Sequence, residues 1–91
     1  MNIDDIKKIH CVGVGGIGVS AIARFFLARG AKVSGSDAVE SDELTSLSKR
    51  ECSIFFSQEE GNIPEDTDVV VYSPAVPEDN IELQEARKRG I

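Results

Sequence analysis

The sequence predicts an α/β fold: an open parallel sheet with helices on both faces and strand order 3-2-1-4. Three observations predict it. The glycine cluster Gly13-Val14-Gly15-Gly16-Ile17-Gly18 separates a short apolar run from a segment with helical spacing. Short apolar runs then alternate with helical patterns along the chain, the signature of repeated βα units. The last such run, "DVVVYS" (68–73), is continuous rather than alternating, as in strands covered on both faces.

Each element follows from its own pattern. "KIHCVGV" (8–14) reads as the first strand, closed by glycine. From Ile17 to Arg29 apolar residues recur at threes and fours, which puts Ile17, Ala21, Ile22, Phe25 and Phe26 on the inward face. Gly30 is the left-handed cap that ends this helix, and Arg29 suits its negative end. "AKVSGSD" (31–37) is the second strand. "AVESDELTSLSKR" (38–50) is a short helix with Ser41 as N-cap, Asp42 and Glu43 in its first turn, Leu44 and Leu47 facing inward, and Lys49 and Arg50 closing it. "SIFF" (53–56) is the third strand, and a polar connection with Gly61 and Pro64 leads to the fourth. After Pro74 and Pro77, Asp79 opens a last helix with Glu82 as its capping-box partner, running to Gly90. These βα units make the sheet Rossmann-like.

Length and composition bound the function. The 91 residues suit one domain, 1–91, with 41% hydrophobic and 29% charged residues, as in ordinary soluble proteins. A helix capped by Gly90 and followed by a lone Ile91 reads as a domain excised from a longer protein, just before a fifth strand. The net charge of −6 argues against nucleic acid and against an anionic membrane surface. Any anion must therefore be held by aimed backbone groups. Cys11 and Cys52 fit neither a redox pair nor a zinc cluster and read as reduced thiols of a cytoplasmic core. "MNIDDIKK" is not a signal peptide, and no apolar run approaches the roughly 20 residues that span a bilayer.

The glycine cluster carries the chemistry. It follows a strand and opens a helix, so the free N–H groups from about Gly16 to Val19 point at whatever lies off the sheet's carboxyl edge. Gly13 allows the tight turn, Gly15 the close approach of a diphosphate, and Gly18 the packing of helix on strand. No Lys-Ser or Lys-Thr follows, which excludes a Walker-type grip on a γ-phosphate. Asp37 ends the second strand 19 residues after Gly18, where an acidic side chain meets a ribose diol; a helix or turn cap is the other reading. Ser73, Pro74 and Ala75 follow the fourth strand beside the first, either as a ligand-bordering loop or as a plain turn. His10, the one imidazole, lies inside a strand and reads as structural. The chain has no nucleophile–base pair and no metal-ligating cluster in its sequence; it reads as a binder without a catalytic centre. An NAD-binding regulatory or dehydrogenase module fits these residues as well as any other diphosphate ligand does.

Three motifs in order are more specific than the glycines alone. "HCVGVGGIGVSAIA", "VSGSD" and "VVVYSPAVPEDNIELQEARKRGI" together resemble the N-terminal domain of the UDP-N-acetylmuramate–L-alanine ligases of the Mur ligase family, from about Lys8 to Ile91. The resemblance implies a three-domain, ATP-dependent ligase of peptidoglycan precursor synthesis, whose first domain binds the UDP part of UDP-N-acetylmuramate. ATP, Mg²⁺ and the catalytic residues then belong to a central domain, and a C-terminal domain helps hold the amino acid. No cofactor is implied for the present chain. By position, Gly13, Gly15, Gly16, Ile17 and Gly18 would surround the diphosphate, Asp37 with Ser36 would contact the ribose or base, and Ser73 to Val76, including Ala75, would border the same crevice. The chain departs from the family pattern at Cys11, Val19, Ala21 and Pro74. Ser57-Gln58 stands in place of a frequent Gly-His, so this chain lacks the imidazole that pattern would offer the uracil.

Overall fold

In the computed structural model, which describes residues 2–39, 41–50 and 52–91, four strands form one parallel sheet. These are β1 (Lys8–Val12), β2 (Lys32–Ser36), β3 (Ser53–Phe55) and β4 (Val69–Tyr72), in the predicted order β3-β2-β1-β4. The helices are α1 (Ile17–Ala28), α2 (Asp42–Ser48) and α3 (Ile81–Lys88). The register sets Cys11 of β1 between Gly35 of β2 and Val71 of β4.

Side chains alternate across a strand, and here the two faces differ in chemistry. Ile9, Cys11 and Val33 point to one face and join Val14, Val19, Ala23, Phe26, Leu44, Leu47 and Cys52 in a single apolar cluster under α1 and α2. His10, Ser34 and Ser36 point to the other face, which receives α3 through Glu82. Helices therefore cover both faces, and on the α3 face the buried Leu83 and Ala86 sit beside a buried polar network.

The helix ends follow local chemistry. Ser41 Oγ accepts the Leu44 N–H at 3.2 Å and starts α2, whose Leu44 and Leu47 are fully buried as predicted. The expected first-turn role of the Glu43 side chain lies outside the described residues. Gly30 and Gly90 take φ of +84° and +77° and end α1 and α3, a conformation that costs other residues a Cβ clash.

Three expectations need correction. The inward face of α1 is Val19, Ser20, Ala23 and Phe26; Ile17, Ala21, Ile22 and Phe25 are exposed, Ile17 at 92%. Small residues lie against the sheet because they let the helix approach it closely, whereas periodicity alone does not choose between two apolar stripes. Phe25 instead meets Phe26 edge-on and carries the Arg29 guanidinium over its ring. β4 is not buried on both faces: its valines are half-buried and Tyr72 is exposed, because in the described sheet it has a neighbour, β1, on one side only. Finally, Asn80 and not Asp79 caps α3, its Oδ1 accepting the N–H groups of Glu82 and Leu83. The Glu82 side chain turns into the core rather than back to the cap.

Candidate functional site

The glycine segment leaves β1 at Val12 and reverses at Gly13, whose φ of +75° only glycine adopts without strain. The N–H groups of Gly13 and Val14 both donate to the Ser36 carbonyl, at 2.8 and 3.0 Å, and Gly16 N–H closes the turn on the Gly13 carbonyl at 3.0 Å. Val14 thereby folds down over β2 and is fully buried. Gly35 makes room for it: a Cβ there would lie 2.7 Å from the Val14 Cβ and 3.0 Å from the Cys11 carbonyl oxygen.

Gly16 is the N-cap of α1 and has no side chain with which to cap it. The first-turn N–H groups of Ile17 and Gly18 are therefore presented at an exposed surface at the carboxyl end of the sheet, with the helix dipole behind them. A Cβ on Gly18 would meet no protein atom within 4 Å. The expected role of Gly18 in helix-on-strand packing is thus not what the structure shows; that glycine faces open space. An open hollow of about 250 Å³ adjoins this end, lined by Gly15, Ile17, Ser20, Ala21 and Arg24. Another, of about 410 Å³ around Lys7 and Arg29, lies at the opposite, amino end of the sheet and contains none of the predicted site residues.

The structure brings the predicted residues together at the carboxyl edge. Asp37 follows β2, and its Oδ2 accepts the Gly15 N–H at 2.9 Å while Oδ1 accepts the Val39 N–H at 3.2 Å. A Cβ on Gly15 would lie 2.9 Å from that same Oδ2 and 3.4 Å from Leu44 Cγ, so Gly15 is required by contacts within the protein itself. The turn after β4 is closed by Ser73, whose carbonyl accepts the Val76 N–H at 3.0 Å and whose Oγ accepts the Ala75 N–H at 3.3 Å. Val76 reaches the glycine loop, since a Cβ on Gly13 would lie 3.2 Å from Val76 Cγ2. Ser36 is placed differently from expectation. Its side chain is fully buried on the α3 side and donates to Glu82 Oε1 at 2.8 Å, so its hydroxyl is turned away from the crevice and only its carbonyl serves the loop.

Sequence reasoning missed Gly35 and Glu82. A glycine inside a strand is a sign of close backbone approach and could have pointed to Gly35. Nothing in the pattern marks Glu82, which looks like any first-turn acid. His10 is fully buried, with Nε2 on Glu82 Oε1 at 2.6 Å and Nδ1 on Ser34 Oγ at 2.7 Å, and so belongs to the core. Among the described residues no group of three or more His, Cys, Asp and Glu side chains could hold a metal ion. Among the described residues no helix is long and apolar enough to cross a membrane either.

With this geometry in place, comparison with known proteins is direct. Residues 8–91 match the sequence family described as "Mur ligase family, catalytic domain". The chain belongs to the Mur ligase family. Among curated members it is 45% identical over its whole length to the UDP-N-acetylmuramate–L-alanine ligase of Salinispora arenicola, covering 18% of that protein. It is 48% identical over 86 residues to that of Campylobacter curvus, covering 94% of this chain and 20% of the relative. The crystal structure of the UDP-N-acetylmuramate–alanine ligase of Thermotoga maritima superposes with a TM-score of 0.86 at 39% identity, over 92% of this chain and 19% of that one. A murein peptide ligase from Psychrobacter arcticus shares the fold, with a TM-score of 0.83 at 23% identity, over 93% of this chain and 18% of that one. The chain thus spans about a fifth of the length of the curated Mur ligases it matches. The family resemblance and the Rossmann-like sheet read from the sequence are both borne out.

Proposed function

We propose that this chain is the substrate-nucleotide-binding part of a UDP-N-acetylmuramate–L-alanine ligase, acting in the cytoplasm in peptidoglycan precursor synthesis, and that it holds the UDP moiety of UDP-N-acetylmuramate. The observation that carries the reading is the convergence of the glycine loop, Asp37 and the 73–76 turn at one edge of the sheet. The names of the relatives supply the identity of the nucleotide.

In this reading the diphosphate lies against the N–H groups of Ile17 and Gly18, and the empty space beside Gly18 admits it. Asp37 already accepts one N–H on each oxygen, and a carboxylate has lone pairs left for two ribose hydroxyls. Its negative charge keeps the diphosphate on the helix side of the loop. Ser73 and Ala75 border the crevice, and Ser36 contributes through its carbonyl. The loop does not suit the triphosphate of ATP, because Val19-Ser20 follows the glycines where a Lys would be needed. As the family resemblance implies, ATP, Mg²⁺ and the ligation of L-alanine would belong to a central domain of such an enzyme, with a C-terminal domain helping to hold the amino acid and ATP.

The test is a titration of the chain with UDP, UDP-N-acetylmuramate and NAD under one set of conditions. Saturable binding of both uridine nucleotides with none of NAD supports the reading. Binding of NAD without UDP would replace it by a dinucleotide module, which the glycine loop and Asp37 also fit.

A further inference from the structure

We infer that Glu82 is a positioning residue for the nucleotide site, acting through Ser36 on the glycine loop and through Asn62 on the segment after β3. This rests on the UDP reading given above.

Glu82 stands in the first turn of α3, on the face of the sheet away from α1, and is fully buried. Four donors from separate parts of the chain surround its carboxylate. Oε1 accepts from His10 Nε2 at 2.6 Å and from Ser36 Oγ at 2.8 Å. Oε2 accepts from Asn62 Nδ2 at 2.9 Å and from the Glu59 N–H at 3.1 Å. Burying a carboxylate is costly, and an apolar side chain of similar size often serves stability as well or better. What only an acceptor with four fixed lone-pair directions does is hold four donors in one geometry.

Two of those donors lead to the site. Ser36 is the residue whose carbonyl accepts both Gly13 and Val14 N–H and whose successor, Asp37, accepts Gly15 N–H. Fixing the Ser36 side chain from below fixes the peptide that anchors the loop from above. Asn62 Nδ2 is shared between Glu82 and the Ser57 carbonyl, at 2.7 Å from the latter. The neighbouring Gln58 Oε1 accepts from Asn80 Nδ2 at 2.7 Å, on the N-cap of the helix that carries Glu82. Glu82 therefore ties together the glycine loop and the 57–62 segment, which the backbone bond from Asp37 N–H to the Phe55 carbonyl places beside the aspartate.

The experiment compares the wild-type chain with Glu82→Gln, with Ser36→Ala, and with Leu83→Ala as a control. Leu83 is a buried neighbour on the same helix whose side chain makes none of these bonds. Glutamine keeps the shape of Glu82 but turns an NH₂ toward one pair of donors. In folded Glu82→Gln the Kd for UDP is expected to rise about ten-fold, and the amides of Gly13 and Val14 to exchange about ten-fold faster, the loss of roughly one charge-assisted bond. The Gly30 and Ala31 amides, bonded to Leu27 and Phe26 carbonyls at the far end of α1, serve as the internal reference and should keep their rates. Leu83→Ala should lower the melting temperature yet leave the Kd within about two-fold, since the site bonds are intact. Unchanged Kd and exchange in Glu82→Gln, or an equal rise in Kd in Leu83→Ala, would overturn the assignment. If Glu82→Gln does not fold, Ser36→Ala, which removes the link to the loop together with a 3.5 Å bond from Gln58 Nε2, must show the same local change in exchange or the assignment fails. If the wild-type chain does not bind UDP, the proposed function falls, while the exchange rates of Gly13 and Val14 still decide whether Glu82 positions the loop.

Discussion

Asp37 Oδ2 and Gly15 N–H are joined at 2.9 Å, so the carboxylate at the end of β2 is part of the glycine loop before any ligand arrives. Gly15 and Gly18 thus have different reasons to lack a side chain. In Gly15→Ala the new methyl displaces Asp37, breaking this bond, with a loss of about 1–3 kcal/mol in stability and of UDP affinity. In Gly18→Ala the methyl enters open space in a helix, so stability should hold or rise by about 0.5–1 kcal/mol while UDP affinity falls. Thermal melts and UDP titrations of the two variants check this; normal binding by Gly18→Ala would remove the ligand from the start of α1.

Gly35→Ala tests how the loop is seated. Its methyl would lie inside contact distance of Val14 Cβ and Cγ2 and of the Cys11 carbonyl, with strand backbone on one side and loop on the other. The expected loss is about 3 kcal/mol, a fall in Tm of more than about 10 °C for a chain of this size. An unaltered Tm would show that Val14 does not pack over β2.

Glu82 predicts the acid limb of stability. Burial pushes its carboxyl up, but the hydrogen bonds from His10, Asn62 and Ser36 and the nearby His10 charge outweigh burial and hold it below its ordinary value of 4.5. A carboxyl whose pKa is lower folded than unfolded stabilises fully above the unfolded value and loses that contribution as pH falls through the folded one. The melting temperature should therefore drop as pH falls below about 4.5. Asp68, held low by the Lys7 and Lys8 N–H groups, acts in the same direction. The slope should be shallower in Glu82→Gln; an identical slope would mean that other carboxyls account for it.

The two thiols should be silent in the native state. Burial first, and then the proximity of Cys52, push Cys11 up to about 12; burial pushes Cys52 up to about 11. At pH 8 a disulfide reagent should therefore react with neither while the chain is folded and with both once it unfolds. Fast labelling of native protein would contradict the burial of both in the α1–α2 core.

Strand order and the grouping of the glycine loop with Asp37 and the 73–76 turn were legible in the sequence, because βα alternation and right-handed crossovers leave few topologies. The buried face of α1 was not, because Ile17, Ala21 and Phe25 form as regular a stripe as Val19, Ala23 and Phe26. Close packing on the sheet chose the stripe with the smaller side chains. The burial of β4 was overestimated, since three consecutive valines do not report how many neighbours a strand has. Ser36 and Glu82 were misread for a shared reason: alternation sends Ser36 to the α3 face, where a buried acid awaits it, and a buried polar network has no hydrophobic period to announce it.

Whether the start of α1 holds a diphosphate carrying uridine is decided by an amide-resolved NMR titration of the chain with UDP and then NAD. Saturable shifts are expected at Gly15, Gly16, Ile17 and Gly18 and at Asp37 with UDP, and none with NAD at the same concentration. Shifts confined to other residues, or the same shifts produced by NAD and not by UDP, would contradict it.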